Sequence, residues 1–116
     1  MLDEGDLVWL DLDPVRGNER GGYRPAIVLS NRDFHASRNT ALICPISKNI
    51  APWPTKVLLP SGLEVEGAVL VEQVRLVTRS DRGLIRVGAL PRSVLRQVRL
   101  TLSTVLGIVA ANPYPE

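Results

Sequence analysis

The chain has 116 residues, 45% of them hydrophobic, and a formal net charge of +2. This length and composition predict one folded domain over residues 1–116 and exclude a disordered chain. Cys44 is the only cysteine, so no disulfide can form within the chain. Charges interrupt every apolar stretch before the roughly 18 residues that a membrane helix needs, and the start of the chain lacks the pattern of a secretion signal. We therefore expect a cytoplasmic protein that does not enter membranes.

Arginine carries nearly all of the positive charge, because lysine occurs only at Lys48 and Lys56 among 14 basic residues. The guanidinium fork binds phosphate through two hydrogen bonds and stacks on bases, which favours a nucleic-acid partner. A genome rich in G and C would produce the same bias. Composition alone leaves both explanations open.

The first predicted strand covers residues 6–13. Its side chains alternate, and both faces are apolar, with Leu7 and Trp9 on one side and Val8 and Leu10 on the other. A strand covered on both faces is typical of a barrel or a sandwich. We interpret Trp9 as a core residue.

A glycine-rich loop follows this strand. It reads Gly17-Asn18-Glu19-Arg20-Gly21-Gly22-Tyr23-Arg24-Pro25. Glycines allow the backbone and the arginines of such a loop to approach a ligand closely. Pro25 favours an extended conformation at Arg24, which is predicted where the loop gives way to a strand over residues 26–30. From the loop alone, a solvated hairpin connection is the alternative.

Further short strands are predicted over residues 40–46, 56–59, 67–71 and 84–87. The polar connector 31–39 contains His35, the only histidine, which we interpret as a surface residue. A two-histidine ribonuclease mechanism within one chain is therefore excluded. Cys44 lies among apolar strand residues and is interpreted as core rather than as a nucleophile.

Trp53 lies between Pro52 and Pro54, in a segment that cannot continue a central strand. An exposed Trp53 would stack on a base, and a buried one would pin the loop to the core. The sequence leaves these two roles open.

Pro91 is predicted to open a C-terminal helix. Its apolar stripe, which should close one end of a barrel, comprises Val94, Leu95, Val98, Leu102, Val105, Leu106 and Val109. The domain core is thus expected over residues 5–109, with a frayed tail at 110–116. About six short strands and one terminal helix predict a mainly β protein, a small antiparallel barrel with a C-terminal α-helix.

Residues 5–30 combine a Gly-Asp start, an Asp-Pro that ends the first strand, the glycine-rich loop, and Arg24-Pro25 opening the second strand. This order resembles the MazF/PemK family of toxin endoribonucleases. The later run Glu72-Gln73-Val74 is also similar to that family. The resemblance implies the SH3-like barrel of the MazF/Kid/CcdB type and a homodimer. It also implies metal-independent cleavage of single-stranded RNA to a 2′,3′-cyclic phosphate (or 3′-phosphate) and a 5′-OH, without a cofactor.

Residue roles are carried over from the resemblance. The catalytic residues would be Arg24, the strand-end hydroxyl of Ser47 and, as a proton acceptor or loop-ordering group, Glu19. From local sequence alone, Ser47 is equally a turn residue bonded to nearby backbone. The expected RNA-binding residues are Arg16, Asn18, Arg20, Tyr23, Lys48, Trp53, Lys56 and Arg79.

The resemblance also implies a cognate MazE-like antitoxin whose acidic, disordered tail blocks the RNA groove, and DNA binding by the complex of the two. Two alternatives remain open at this point. One is a toxin of the same fold that poisons DNA gyrase through protein contacts, because a fold does not determine a function. The other is a barrel that binds nucleic acid without cutting it.

Overall fold

A computed structural model of the chain describes residues 1–12 and 22–108. The fold is mainly antiparallel β-sheet with a C-terminal helix, as predicted. The strands are β1 (Asp6–Asp11), β2 (Tyr23–Val28), β3 (Thr40–Ser47), β4 (Lys56–Leu58), β5 (Ala68–Leu70), β6 (Arg75–Thr78) and β7 (Ile85–Ala89). The helices are α1 (Arg32–Ala36), a 3₁₀ turn at Val71–Gln73, α2 (Arg79–Arg82) and α3 (Arg92–Leu106).

The strand order is β4-β5-β3-β2-β1-β7, and β6 pairs with β3 off this path. The first half of β3 pairs with β6, where Ala41 lies opposite Val77. Its second half pairs with β5, where Ser47 lies opposite Ala68. Because β3 changes partner along its length, the sheet bends there into the small barrel-like form, which the described strands do not close into a ring.

Strand β1 is buried on both faces, as its alternation predicts. Leu7 belongs to the core cluster under α3, with Trp9 packed partly buried against it. Val8 and Leu10 belong to a second cluster on the opposite face of the sheet. A one-residue slip of this strand would exchange the two faces, so the two cores together define its register.

The interpretation of His35 as a surface residue is wrong, because its side chain is only 2% exposed. Its Nδ1 lies 2.9 Å from the Leu2 carbonyl oxygen and its Nε2 lies 2.7 Å from Ser30 Oγ. Asn31 caps α1 by accepting the Phe34 N–H. Helix α1 directs the His35 ring inward, and the ring then links Leu2 near the N-terminus to Ser30, which follows β2.

Helix α3 buries only the first half of its predicted stripe. Val94, Leu95 and Val98 are buried against the sheet, whereas Val105 and Leu106 are 48% and 59% exposed. The expectation that the whole stripe packs on the barrel is therefore wrong for its C-terminal half. Position 109 and the tail at 110–116 lie outside the described residues. None of the described helices is long and apolar enough to cross a membrane.

Candidate functional site

Arg24 and Ser47 lie on neighbouring strands at the same end of the sheet. Strands β2 and β3 are antiparallel, with Ala26 opposite Pro45. Arg24 lies two residues before Ala26 on β2, and Ser47 lies two residues after Pro45 on β3, so both residues lie just beyond this paired segment at the same end of the two strands. Since side chains alternate along a strand, both residues share the face of Ala26 and Pro45. The fold thus brings together the two catalytic residues that the resemblance indicates.

Both residues line one open cleft of about 800 Å³ at this end of the sheet. Residues of β1 to β3 and of the connection between β4 and β5 contribute to its lining. Its lining comprises Trp9, Leu12, Tyr23, Arg24, Pro25, Pro45, Ile46, Ser47, Lys48, Asn49, Glu64, Val65, Glu66, Leu70, Gln73 and Arg75. A cleft this open accommodates an extended polar ligand.

The Ser47 hydroxyl accepts a hydrogen bond of 3.0 Å from the Asn49 N–H, so it stabilises the turn after β3. This is the local role that the sequence left open. The bond uses the oxygen as an acceptor and leaves the hydroxyl proton to be donated into the cleft. Gly67 allows β5 to pass close by, because a Cβ at this position would collide with the Ser47 carbonyl oxygen.

The Arg24 side chain is exposed and, within residues 1–12 and 22–108, has no ion-pair or hydrogen-bond partner. Arg75 also lines the cleft, as do the acidic residues Glu64 and Glu66. A guanidinium and a hydroxyl that line one cleft suit the binding of a phosphate group, whose oxygens accept charge-assisted hydrogen bonds.

A smaller cleft of about 440 Å³ adjoins the first, and Asn49, Leu70 and Gln73 line both. The Trp53 side chain lies there, 61% exposed, and its Nε1–H donates to Glu72 Oε1 at 2.9 Å. Trp53 is therefore exposed and oriented by Glu72, which excludes the role of pinning the loop to the core and leaves base stacking as a prediction.

Glu72 accepts from Trp53 and, at 2.6 Å, from the Thr55 hydroxyl. The bonds from Thr55 and then Trp53 lower the pKa of the Glu72 carboxyl below its ordinary value. The charged form is favoured because both neighbours are donors. The sequence showed no role for Thr55, since its partner is 17 positions away.

The remaining predicted RNA-binding residues that the structure describes fall into three groups. Tyr23 and Lys48 line the main cleft, and the Tyr23 hydroxyl donates to the Gly83 carbonyl at 2.7 Å. Lys56 lines the smaller cleft, with its Nζ bonded to loop carbonyls. Arg79 is absent from both linings and donates to the carbonyls of His35 and Arg38. Arg16, Asn18, Glu19 and Arg20 lie outside the described residues.

Cys44 is fully buried, as predicted, and burial raises the pKa of its thiol to about 12. A thiol that stays protonated at neutral pH is a poor nucleophile. In the described part of the chain, no group of three or more His, Cys, Asp and Glu residues is placed to hold a metal ion.

Comparison with known proteins identifies the family. Residues 3–106 match the PemK-like, MazF-like toxins of type II toxin-antitoxin systems. The chain belongs to this family. The endoribonuclease toxin MazF of Escherichia coli is 32% identical over 105 residues, which cover 90% of this chain and 94% of that protein. The endoribonuclease EndoA of Bacillus subtilis is 33% identical over 84 residues, 68% of this chain and 72% of that protein.

Solved structures agree. A MazF in a MazE-MazF crystal structure from Deinococcus radiodurans superposes with a TM-score of 0.86 and 36% identity, covering 92% of this chain and 96% of that one. The barrel-like fold is therefore that of MazF. Within this MazF fold, sequence reasoning missed Glu64 and Glu66 as cleft residues. Neither residue lies in a periodic pattern of apolar residues. The length of the loop between β4 and β5 was the only sequence feature that could have indicated them.

Proposed function

We propose that this MazF-type toxin is a sequence-specific, metal-independent endoribonuclease that cuts single-stranded RNA with Arg24 and Ser47 as catalytic residues. Membership of the family and the endoribonucleases among its relatives support the activity. The observation that supports the assignment of residues is that Arg24 and Ser47, on neighbouring strands, line one open cleft. Its site of action would be the cytoplasm.

The reaction is a transfer within the RNA itself. The 2′-oxygen loses its proton and bonds to phosphorus, and the bond from phosphorus to the 5′-oxygen breaks. The products are a 2′,3′-cyclic phosphate (or, after hydrolysis, a 3′-phosphate) and a 5′-OH that takes up a proton. Negative charge builds on the non-bridging oxygens in the transition state, and preorganised donors stabilise it.

Arg24 supplies such donors. Its guanidinium presents a planar fork of N–H donors, and it lies exposed at the cleft without competing partners among the described residues. The Ser47 hydroxyl adds a second donor from the neighbouring strand, held in place by the Asn49 N–H. Glu19, which lies outside the described residues, is proposed from the resemblance alone to accept a proton or to order the loop.

Single-stranded RNA fits the cleft because sequence in RNA is recognised through unstacked bases. The test is incubation of the purified protein in EDTA with a long RNA of mixed sequence, followed by mapping of fragment ends. We expect discrete cuts with 5′-OH ends. Loss of cutting in EDTA that Mg²⁺ restores would overturn the metal-independent mechanism.

Arg24→Ala tests the residue assignment. We expect cleavage to fall by about 10²-fold or more, the usual effect of removing one transition-state donor. Arg96→Ala is the matched control, because Arg96 is an exposed arginine on α3 that lines a different depression. A folded Arg24→Ala protein that cuts as fast as the control would refute the assignment.

We further propose a homodimer and a MazE-like antitoxin with an acidic, disordered tail as partners. The MazF from Deinococcus radiodurans crystallised with its MazE, and an acidic segment can imitate the phosphate chain. Leu42 and Leu76, opposite each other on β3 and β6, are 36% and 55% exposed, which supports an apolar contact with another protein surface. A monomeric mass by sedimentation at micromolar concentration would refute the dimer.

A further inference from the structure

We propose that Trp53 and Glu72 form a nucleobase subsite beside the cleavage cleft, in which one base stacks on Trp53 and donates its exocyclic amino group to Glu72. This subsite would select cytosine, adenine or guanine over uracil at one position of the substrate. The inference rests on the proposed cleavage of single-stranded RNA, and it adds a residue-level basis for sequence preference.

The indole is presented on a rigid support. Pro52 and Pro54 restrict the backbone on both sides of Trp53. The Lys56 backbone N–H donates to the Trp53 carbonyl at 3.0 Å, and Lys56 Nζ donates to the carbonyls of Asn49 and Ala51 at 2.8 and 3.1 Å. Lys56 thus ties both ends of the loop together, and little conformational entropy remains to be lost on binding.

The hydrogen bond that orients the Trp53 ring leaves the side chain exposed to solvent. Trp53 is 61% exposed, although Nε1, the only polar atom of its side chain, is hydrogen-bonded to Glu72. A tryptophan that is exposed, yet oriented by a side-chain hydrogen bond, matches the stacking platforms of proteins that bind single strands.

Glu72 supplies the selection. Its Oε1 accepts both the Trp53 and the Thr55 hydrogen bonds, which hold the pKa of the carboxyl below its usual value. Its Oε2 makes no hydrogen bond to any residue in the described ranges, although Glu72 lines the cleft. An ionised carboxylate can only accept hydrogen bonds, so it favours amino groups and repels the O4 carbonyl of uracil.

The subsite is continuous with the reaction cleft, because Asn49, Leu70 and Gln73 line both depressions. Asn49 is also the residue whose N–H holds the Ser47 hydroxyl. One RNA strand can therefore place a base on Trp53 and a phosphate in the cleft lined by Arg24 and Ser47.

The cleavage test uses short RNAs built on one mapped cut site, with each flanking nucleotide varied in turn. Wild type should discriminate against uracil at one position. Glu72→Gln keeps one oxygen that accepts the hydrogen bonds of Trp53 and Thr55, and it replaces Oε2 by an amino group that donates. The variant should therefore favour uracil at that position and leave the other positions unchanged. Trp53→Ala should lower kcat/KM by roughly 5- to 150-fold, the worth of one stacked base, and Trp53→Phe should restore most of it. An unchanged preference in Glu72→Gln, or wild-type rates in Trp53→Ala, would overturn the proposal.

A binding test separates the subsite from the reaction. Trp9 and Trp53 are the only tryptophans, so the Trp9→Phe, Arg24→Ala protein reports Trp53 fluorescence without cutting RNA. Oligocytidylate should quench this fluorescence at lower concentration than oligouridylate of equal length, and Glu72→Gln should remove the difference. Quenching without cleavage by wild type would refute the endoribonuclease but keep the subsite. Cleavage with equal quenching by both RNAs would refute the subsite but keep the endoribonuclease.

Discussion

The buried contacts of His35 predict that His35→Ala strongly destabilises the protein. The Leu2 carbonyl oxygen only accepts hydrogen bonds, so His35 Nδ1 carries a proton, and in the neutral ring Nε2 accepts from the Ser30 hydroxyl. The Ser30 oxygen in turn accepts the Leu42 N–H at 2.9 Å. Removing the ring leaves two buried polar groups without their partner, at about 1–3 kcal/mol each, and opens a cavity.

We expect a total loss of about 3–5 kcal/mol, a large part of the roughly 5–15 kcal/mol that stabilises a domain. With a urea dependence of about 2 kcal/mol per molar, the unfolding midpoint should fall by roughly 2 M. Ser37→Ala is the matched control, because Ser37 lies exposed at the end of the same helix, and its midpoint should stay within about 0.3 M of wild type. A shift below about 0.5 M in His35→Ala, measured by circular dichroism, would show that the network contributes little.

Three further results are expected. Native Cys44 should resist alkylation at pH 8 and react on unfolding. Because burial raises the pKa of its thiol from 9.0 to about 12, the free energy of unfolding should fall as pH rises from about 9 to 12, and it should fall less steeply in Cys44→Ala. Equal dependence of the unfolding free energy on pH in both proteins, measured by urea titration, would contradict this. Arg79→Ala should lower stability by about 1–3 kcal/mol but change kcat/KM less than twofold, since its guanidinium bonds backbone carbonyls outside both clefts; a large rise in KM would instead support RNA binding. Gly67→Ala should destabilise the β3–β5 junction by at least about 1 kcal/mol, because its φ of +134° and the nearby Ser47 carbonyl exclude a Cβ; a wild-type melting curve would refute this.

Periodicity predicted most of the fold but not the elements that tertiary contacts create. The alternation of β1 indicated two buried faces, and the observed clusters confirm it. Neither β6 nor α2 was predicted as a separate element, because their short segments have weak patterns. Strand β6 forms by pairing with distant β3, and α2 is joined through Ser80 to the side chain of Asn39. Helix α3 shows the opposite case, since its stripe continues beyond the area that the sheet can cover.

The sequence predicted the site residues that lie at strand ends marked by a motif. It did not predict those that loops distant in sequence bring to the cleft. Arg24 could be placed because Pro25 restricts its backbone, and Ser47 because it ends an apolar strand. Glu64 reaches the cleft through the loop between β4 and β5, and Thr55 acts through Glu72, so neither position has a local signal. His35 was misjudged because a polar neighbourhood in sequence does not reveal a carbonyl acceptor from 33 positions away.

The hydrogen-bond network of His35 and the proposed catalytic residues lie at opposite ends of β2 and β3. The network of Ser30 and His35 follows the end of β2, whereas Arg24 lies near its start, about 20 Å away at ~3.3 Å per residue. The network bonds the start of β3 as well, through the Leu42 N–H, so it helps to hold β2 and β3 in one register. A slip of one residue would turn Arg24 and Ser47 to opposite faces and separate them. Variants of this network should therefore lose cleavage only in proportion to the fraction unfolded, with an unchanged cut-site preference in the protein that remains folded.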